Sequence, residues 1–249
     1  MSEPAETPRE TLRRACLQAM GITRYRLRDR IEAEPVAVAT AVEEEAPLAG
    51  ETPARPQGGT DDAVARMDWQ ALEAAVAGCR ACGLCKTRRN TVFGVGDRSA
   101  ELMIVGEAPG AEEDRKGEPF VGRAGMLLDN MLAALGLQRR QVYIANILKC
   151  RPPGNRNPSV EEAAACAPYL QRQIELVAPR MILAVGGVAA HNLLATEESV
   201  GRLRGRAHLL PGGSREVLVT YHPAYLLRRP EQKAKAWADL QLLARLLRG

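Results

Sequence analysis

Apolar and polar positions alternate in blocks through the last three quarters of the chain. Four short runs rich in β-branched residues predict strands at residues 102–105, 142–145, 181–185 and 217–220. Apolar residues at helical spacing predict helices at residues 124–135, 159–177, 188–194 and 231–247. Ser159 and Glu162 form a capping-box pattern at the start of the second helix. Such alternation is typical of a mostly parallel sheet with helices on both faces, so we predict one α/β domain at residues 67–249.

The first quarter of the chain lacks this pattern. Residues 10–30 contain seven apolar residues larger than Ala among six Arg, which predicts a short amphipathic interaction segment within residues 1–31. Residues 32–66 are rich in Ala, Glu and Pro and contain no aromatic residue. Because such a stretch has little surface to bury, we predict a flexible linker and a disordered N-terminal extension.

Charge and cysteine content narrow the class of protein. The formal net charge is −3 for residues 1–66 and +7 for residues 67–249, which favours a polyanionic partner for the compact part. The sequence has neither an apolar run of membrane-spanning length nor a secretory signal, so we expect a cytoplasmic protein that does not bind a membrane. Thiols stay reduced in that compartment, and the six Cys therefore suggest metal ligation rather than disulfides.

The loops after three of the predicted strands carry candidate chemistry. The first is acidic and Gly-rich at residues 106–114 and continues to Phe120, an apolar residue among glycines; the alternative is an ordinary surface loop. Asn146 ends the second strand, where its amide can offer a donor and an acceptor to the edge of a planar base, although Asn is also a common turn former. His222 ends the fourth strand beside Pro223.

The cysteines form the most informative pattern. Cys79, Cys82 and Cys85 are each separated by two residues, and Cys150 and Cys166 follow at a distance. Two close thiolates and two distant ones can complete a four-cysteine site for zinc or for an iron–sulfur cluster. The spacing alone does not choose two ligands among the first three.

These motifs, in this order, resemble the family-4 uracil-DNA glycosylases, which carry an iron–sulfur cluster. The resemblance runs from about Cys79 to the last predicted helix and rests on TVFG at 91–94, GEAPG at 106–110, EPFVG at 118–122, NILKCRPP at 146–153 and HPAYL at 222–226. It implies the three-layer sandwich of those enzymes and a monomeric, monofunctional glycosylase acting on uracil-containing DNA. Such an enzyme flips uracil out of single- or double-stranded DNA, hydrolyses the N-glycosidic bond and initiates base-excision repair.

The resemblance also implies roles for individual residues. His222 would stabilise the departing uracil anion, with Glu107 as the second catalytic group. Phe120 would stack on the extruded base. Asn146 would read its pairing edge and reject cytosine, and Glu113 would crowd C5 of the ring and exclude thymine.

Gly106 and Ala108 would complete the substrate-binding loop. Ala108 stands where the best-known branch of the superfamily has an Asp that prepares water, so the resemblance leaves the activation of water open. Glu107, Glu113 or a substrate phosphate would stabilise the sugar cation instead.

The same resemblance assigns the cluster ligands. A [4Fe-4S] cluster would be held by Cys79, Cys82, Cys150 and Cys166, which leaves Cys85 as a spare thiol.

A DNA wedge is expected after His222. Tyr225, Leu226 and Leu227, beside Arg228, suit a wedge that fills the space left by the flipped base; alternatively the two leucines begin the packing of the last helix. Three further arginines are candidates for phosphate contacts: Arg202, Arg204 and Arg206.

Two wider questions remain open at this point. Residues 17–28 resemble the leading peptide of the clamp-loader psi subunit, with Tyr25 where that peptide usually has Trp. Residues 10–30 are therefore a candidate contact to the replication clamp loader, and chance similarity is the alternative.

The alternatives to a uracil-DNA glycosylase are a broader-range glycosylase for deaminated bases, or a non-catalytic protein that binds damaged bases or senses redox state through its cluster.

Overall fold

The computed structural model of the protein describes residues 60–248. The predicted interaction segment, the clamp-loader peptide and most of the predicted linker lie outside these residues. A helix at Thr60–Val64 falls inside the predicted linker, and Val64 is buried with Leu72, Val76 and Phe93. The packed unit therefore begins ahead of the predicted boundary at residue 67, because Val64 contributes to its core.

The elements follow the predicted alternation. The helices are α1 Thr60–Val64, α2 Trp69–Gly78, α3 Ala111–Lys116, α4 Arg123–Ala134, α5 Val160–Val177, α6 Gly187–Leu194, α7 Val200–Leu203, α8 Pro223–Arg228 and α9 Lys233–Arg248. The strands are β1 Val95–Gly96, β2 Leu102–Gly106, β3 Tyr143–Asn146, β4 Met181–Val185, β5 Ala207–Leu209 and β6 Glu216–Thr220. The capping box of α5 is confirmed, since Ser159 Oγ accepts the amide of Glu162 and the Glu162 carboxylate accepts the amide of Ser159.

The six strands form one sheet in the order β1-β3-β2-β4-β6-β5. The four central strands are parallel, and the edge strands β1 and β5 are antiparallel to their neighbours. The prediction of a mostly parallel sheet is thus confirmed. The two edge strands were not predicted, because strands of two and three residues are too short to show a period.

Apolar side chains fill both faces of the sheet. One core cluster combines Met103 and Ile182 of the sheet with Leu170 of α5. The other combines Ile104 with Leu128 of α4 and Leu240 of α9. Successive strand residues point to opposite faces, so a continuous apolar run supplies both clusters at once. None of the helices formed between residues 60 and 248 has the length and apolar character of a membrane span.

Candidate active site and cysteine cavity

The carboxyl ends of the parallel strands bring the predicted base-binding residues together. Gly106 at the end of β2 pairs with Asn146 at the end of the neighbouring strand β3. His222 follows β6, which is separated from β2 by one strand, β4. One cavity at this edge is lined by most of the predicted site residues: Glu107, Ala108, Glu113, Phe120, Asn146, His222 and Arg228. A Cβ atom at Gly106 would lie 2.5 Å from Asn146 Oδ1 and 2.6 Å from Phe120 Cζ, so only glycine fits beside them.

Asn146 presents an unused acceptor. Its side chain is 2% exposed, and Oδ1 has no hydrogen-bond partner among residues 60–248. Lys149 Nζ donates to the main-chain oxygen of Asn146 at 2.9 Å and to Gln173 Oε1 at 2.6 Å, which fixes the backbone of this residue. A buried acceptor without a donor is costly, so this atom is suited to a ligand that brings an N–H group.

His222 is held as a neutral ring in a defined tautomer. Its Nδ1 accepts the amide N–H of Ala224 at 3.1 Å and caps the start of α8. Burial, followed by the positive charge of Arg228, lowers the pKa of His222 to about 4, although Glu113 acts in the opposite direction. The ring is therefore neutral at pH 7. Since Nδ1 is the acceptor, the proton is on Nε2, which can donate.

Two carboxylates line the cavity in different settings. Burial raises the pKa of Glu107 above its usual range. Glu113 accepts three main-chain N–H groups, with Oε2 at 3.1 Å from Gly110 N and Oε1 at 2.9 and 3.0 Å from Val121 N and Gly122 N. Glu113 thus fixes two loops of the cavity wall, whereas the carboxyl group of Glu107 has no such main-chain donors among the described residues.

A second cavity lies near the first and is lined by five thiols. These are Cys79, Cys82, Cys85, Cys150 and Cys166. None of the five is in a disulfide, and the last two are buried while the first three are partly exposed. Ala108, which lines the base-binding cavity, also packs against the apolar cluster around Cys150 and Cys166.

Nitrogen donors point at the buried sulfurs. Arg88 Nη1 donates to Cys150 Sγ at 3.0 Å, and the Lys149 amide donates to Cys166 Sγ at 3.3 Å. Burial raises the pKa of Cys150 against the effect of Arg88, and it raises the pKa of Cys166 to about 11 against the effect of Lys149. Within residues 60–248, no three His, Cys, Asp or Glu side chains converge closely enough to hold a single metal ion. An iron–sulfur cluster is larger, and its cysteine ligands bind separate iron atoms.

Comparison with known proteins identifies the family. The sequence profile described as the uracil DNA glycosylase superfamily matches residues 93–241. The chain belongs to this superfamily. It is 45% identical over 177 residues to the type-4 uracil-DNA glycosylase of Archaeoglobus fulgidus, covering 69% of this chain and 89% of that protein. It is 43% identical over 182 residues to the type-4 enzyme of Pyrobaculum aerophilum, covering 71% and 93%. The match to the type-4 enzyme of Thermotoga maritima is 46% over 151 residues, covering 60% and 78%.

In this member of the uracil-DNA glycosylase superfamily, the predicted wedge needs correction. Leu226 is 1% exposed and packs in the core beside α4 and α9, so its side chain is not available to DNA. Its neighbour Leu227 is 36% exposed, and Arg228 is exposed beside the base-binding cavity. Tyr225 is half-buried and stacks on Tyr221, with ring centroids 5.2 Å apart.

The three arginines predicted to contact phosphates differ from one another in exposure and in their partners. Arg204 forms an ion pair with the buried carboxylate of Asp239 at 2.8 Å, and Thr220 Oγ1 donates to the same carboxylate. Its guanidinium is therefore a structural partner of a buried charge, whereas Arg202 and Arg206 are exposed.

Sequence reasoning did not identify several contacts that hold the glycosylase site together. These are the contact of Arg88 with the cysteines, that of Lys149 with the main chain of Asn146, and that of Arg139 with the backbone of Phe120. Each acts through main-chain atoms or through a residue distant in sequence. The only signal for Lys149 and Arg88 was their position inside or close to the cysteine motifs.

Proposed function

We propose that the protein is a monofunctional uracil-DNA glycosylase that flips uracil out of DNA, hydrolyses its N-glycosidic bond and leaves an abasic site that begins base-excision repair. The observation that carries this proposal is the single cavity lined by Phe120, Asn146 and His222, with an unpartnered Asn146 oxygen inside it. The type-4 uracil-DNA glycosylases named above support the same substrate.

Recognition of the base follows from Asn146 and Phe120. The N3–H group of uracil donates to Asn146 Oδ1, which otherwise has no donor among the described residues, and the face of the ring lies against Phe120. Cytosine has an acceptor at N3, which opposes the Oδ1 acceptor of Asn146, and an amino group at C4, where the Asn146 side-chain NH2 needs an acceptor, so both contacts are lost. Glu113, fixed by three amides in the cavity wall, crowds C5 and excludes the methyl group of thymine.

Departure of the base is assigned to His222. Cleavage places negative charge on uracil O2, and a donor aimed at this oxygen stabilises the transition state more than the ground state. Because Nδ1 of His222 accepts the Ala224 amide, Nε2–H is the atom that donates. The low pKa of His222 means that the ring donates as a neutral imidazole, without supplying a proton outright.

The sugar side of the reaction is assigned to Glu107. The three amides bound to Glu113 occupy both of its oxygens, whereas Glu107 lines the same cavity and is half-buried. Its carboxylate would stabilise the cationic sugar and orient the attacking water, while the small side chain of Ala108 leaves room beside the loop. Leu227, which is exposed, would serve as the wedge, and Arg228, which lines the cavity, would contact a phosphate.

A [4Fe-4S] cluster fits the cysteine cavity. We assign Cys79, Cys82, Cys150 and Cys166 as its ligands and Cys85 as a spare thiol. The fit rests on thiols that line one cavity and on the N–H groups of Arg88 and Lys149, which are of the kind that stabilises thiolate ligands. When bound, the cluster supplies a cross-link between the end of α2, the loop after β3 and helix α5, with no electron transfer in the reaction.

We also propose that the enzyme is a cytoplasmic monomer and that residues 10–30 bind the replication clamp loader. The support is the similarity of residues 17–28 to the psi-subunit peptide and the length of the following linker, which would hold the glycosylase near replicating DNA. Full-length protein should retain clamp-loader proteins in a pull-down, and Tyr25→Ala should abolish this. Equal retention by the variant would discard the idea.

A base-release assay tests the proposed activity. Single- and double-stranded oligonucleotides containing uracil, hypoxanthine, thymine or cytosine are incubated with the protein, and the free bases are measured. Uracil should be released from both forms and far faster than the other bases. Comparable release of hypoxanthine would favour a broader-range enzyme, and retention of uracil-DNA without release would favour a non-catalytic binding protein.

A further inference from the structure

Phe120 has a backbone conformation that aromatic residues rarely adopt. Its φ of 53° lies in the left-handed region, where a side chain is disfavoured. Such a conformation persists only when the surrounding structure holds it in place. The ring itself is 6% exposed and lines the base-binding cavity.

A cation and an anion hold the peptide groups around Phe120 from opposite sides. Arg139 Nη1 donates to the main-chain oxygen of Phe120 at 3.2 Å, and Arg139 Nη2 donates to the oxygen of Pro119. On the other side, Glu113 accepts the amides of Val121 and Gly122. Four consecutive residues are thereby fixed by two charged side chains through charge-assisted hydrogen bonds.

Arg139 reaches this backbone from outside the cavity. It lies in the short 3-10 turn Arg139–Gln141 after α4, and the described residues that line the cavity do not include it. Arg139 Nη1 also lies 3.2 Å from Asp129 Oδ1. The Asp129 side chain is 47% exposed, so water screens this ion pair and it is weak. The two carbonyl oxygens are therefore the main partners of the guanidinium.

Two glycines pack closely against Phe120. A Cβ atom at Gly125 would lie 1.7 Å from the main-chain oxygen of Phe120, which shows how closely α4 approaches this peptide group. At the other end of the residue, a Cβ atom at Gly106 would lie 2.6 Å from Phe120 Cζ, so Gly106 packs against the tip of the ring. A change in the backbone of Phe120 would therefore be transmitted directly to the ring.

We propose that Arg139 is a positioning residue that fixes the ring of Phe120 for stacking on the extruded base. This inference rests on the proposed function for its effect on catalysis, but not for its effect on the ring. Arg139 has no contact with substrate in this assignment. It acts by holding the carbonyl groups that define the backbone of Phe120.

A spectroscopic test measures the ring without measuring activity. The chain has only two Phe, Phe93 and Phe120, so protein labelled with fluorophenylalanine gives two ¹⁹F signals that Phe93→Leu assigns. Arg139→Gln should shift or broaden the Phe120 signal and leave the Phe93 signal unchanged. The matched control is Arg140→Gln, which removes the same charge from an exposed neighbour bonded only to the Gln138 side chain among the described contacts. An unchanged Phe120 signal in folded Arg139→Gln would overturn the proposal.

A double-mutant comparison then tests the effect on excision. Arg139→Gln should lower the single-turnover rate of uracil excision about 10-fold, because part of the stacking between the base and the aromatic ring is lost. The affinity for undamaged DNA should match that of Arg140→Gln, and Arg139→Lys should recover part of the rate. In a Phe120→Ala background, Arg139→Gln should change the rate less than about 2-fold, because the ring through which it acts is gone.

Equal effects of Arg139→Gln in both backgrounds would show that Arg139 does not act through Phe120. If the wild-type protein released no uracil, the proposed function would fail, whereas the fluorine signals would still decide the role of Arg139.

Discussion

The rings of Phe120 and His222 face each other at the cavity, with centroids 5.7 Å apart and planes inclined by 32°. A planar base between two stacked rings needs about 7 Å, twice the contact distance between carbon atoms. The observed separation is smaller, so a base that stacks on Phe120 meets His222 at its edge rather than at its face. This arrangement favours the role of His222 as an edge donor to uracil O2.

Asn146→Ala is expected to slow uracil release by about 10- to 100-fold or more, because a paired contact to a base edge is worth about 1–3 kcal/mol. The loss should appear in single-turnover rates on single-stranded uracil-DNA. Asn192→Ala is the matched control. It removes an exposed Asn of α6 that does not line the cavity, and it should retain the wild-type rate. Equal rates for the two variants would remove Asn146 from base recognition.

The low pKa of His222 predicts a specific dependence of stability on pH. An unfolded chain takes up a proton at His222 near pH 6.5, whereas the folded chain takes it up near pH 4. The free energy of unfolding should therefore fall as the pH drops from about 6.5 to 4, by on the order of 3 kcal/mol in total from this group.

Urea denaturation of wild type and His222→Gln between pH 4 and 7 measures this slope. The wild type should lose more stability than the variant over that interval. NMR titration of the His222 ring is the direct check, and a midpoint near 6.5 would contradict the assignment of a neutral, half-buried donor.

Leu226→Ala and Leu227→Ala should separate packing from DNA contact. Leu226 is buried in the core, so its truncation should cost about 2–5 kcal/mol of unfolding free energy. Leu227 is exposed, so its truncation should leave stability nearly unchanged and lower uracil release more from double-stranded than from single-stranded DNA. Thermal unfolding and the two release assays decide this, and a stable Leu226→Ala with a duplex-specific defect would reverse the assignment.

Cys150→Ala should lower iron content and stability before it alters chemistry. The measurements are the iron-to-protein ratio, the visible absorption and the unfolding transition. Cys85→Ser is the control from the same cavity and should retain iron, because the proposed ligand set does not include Cys85. If Cys85→Ser lost iron and Cys82→Ser retained it, Cys85 would be the ligand and Cys82 the spare thiol.

The central strands were predictable from sequence because each is a short apolar run ended by polar or Gly-rich residues. Asn146 and His222 line one cavity because the carboxyl ends of parallel strands meet at the same edge of the sheet. Periodicity did not distinguish Leu226 from Leu227, since neighbouring residues of a six-residue helix differ only in the neighbours that the fold supplies. The roles of Glu113 and Arg139 depend on main-chain atoms of another loop, which carry no sequence signal.

The most direct test of the account is the product formed from an oligonucleotide containing one uracil, with iron measured on the same preparation. The account predicts free uracil and an intact strand carrying one abasic site, in equal amounts, with the rate reduced about 10²- to 10³-fold in His222→Ala. Strand cleavage without free uracil, or uracil-DNA that is bound but never converted, would contradict it.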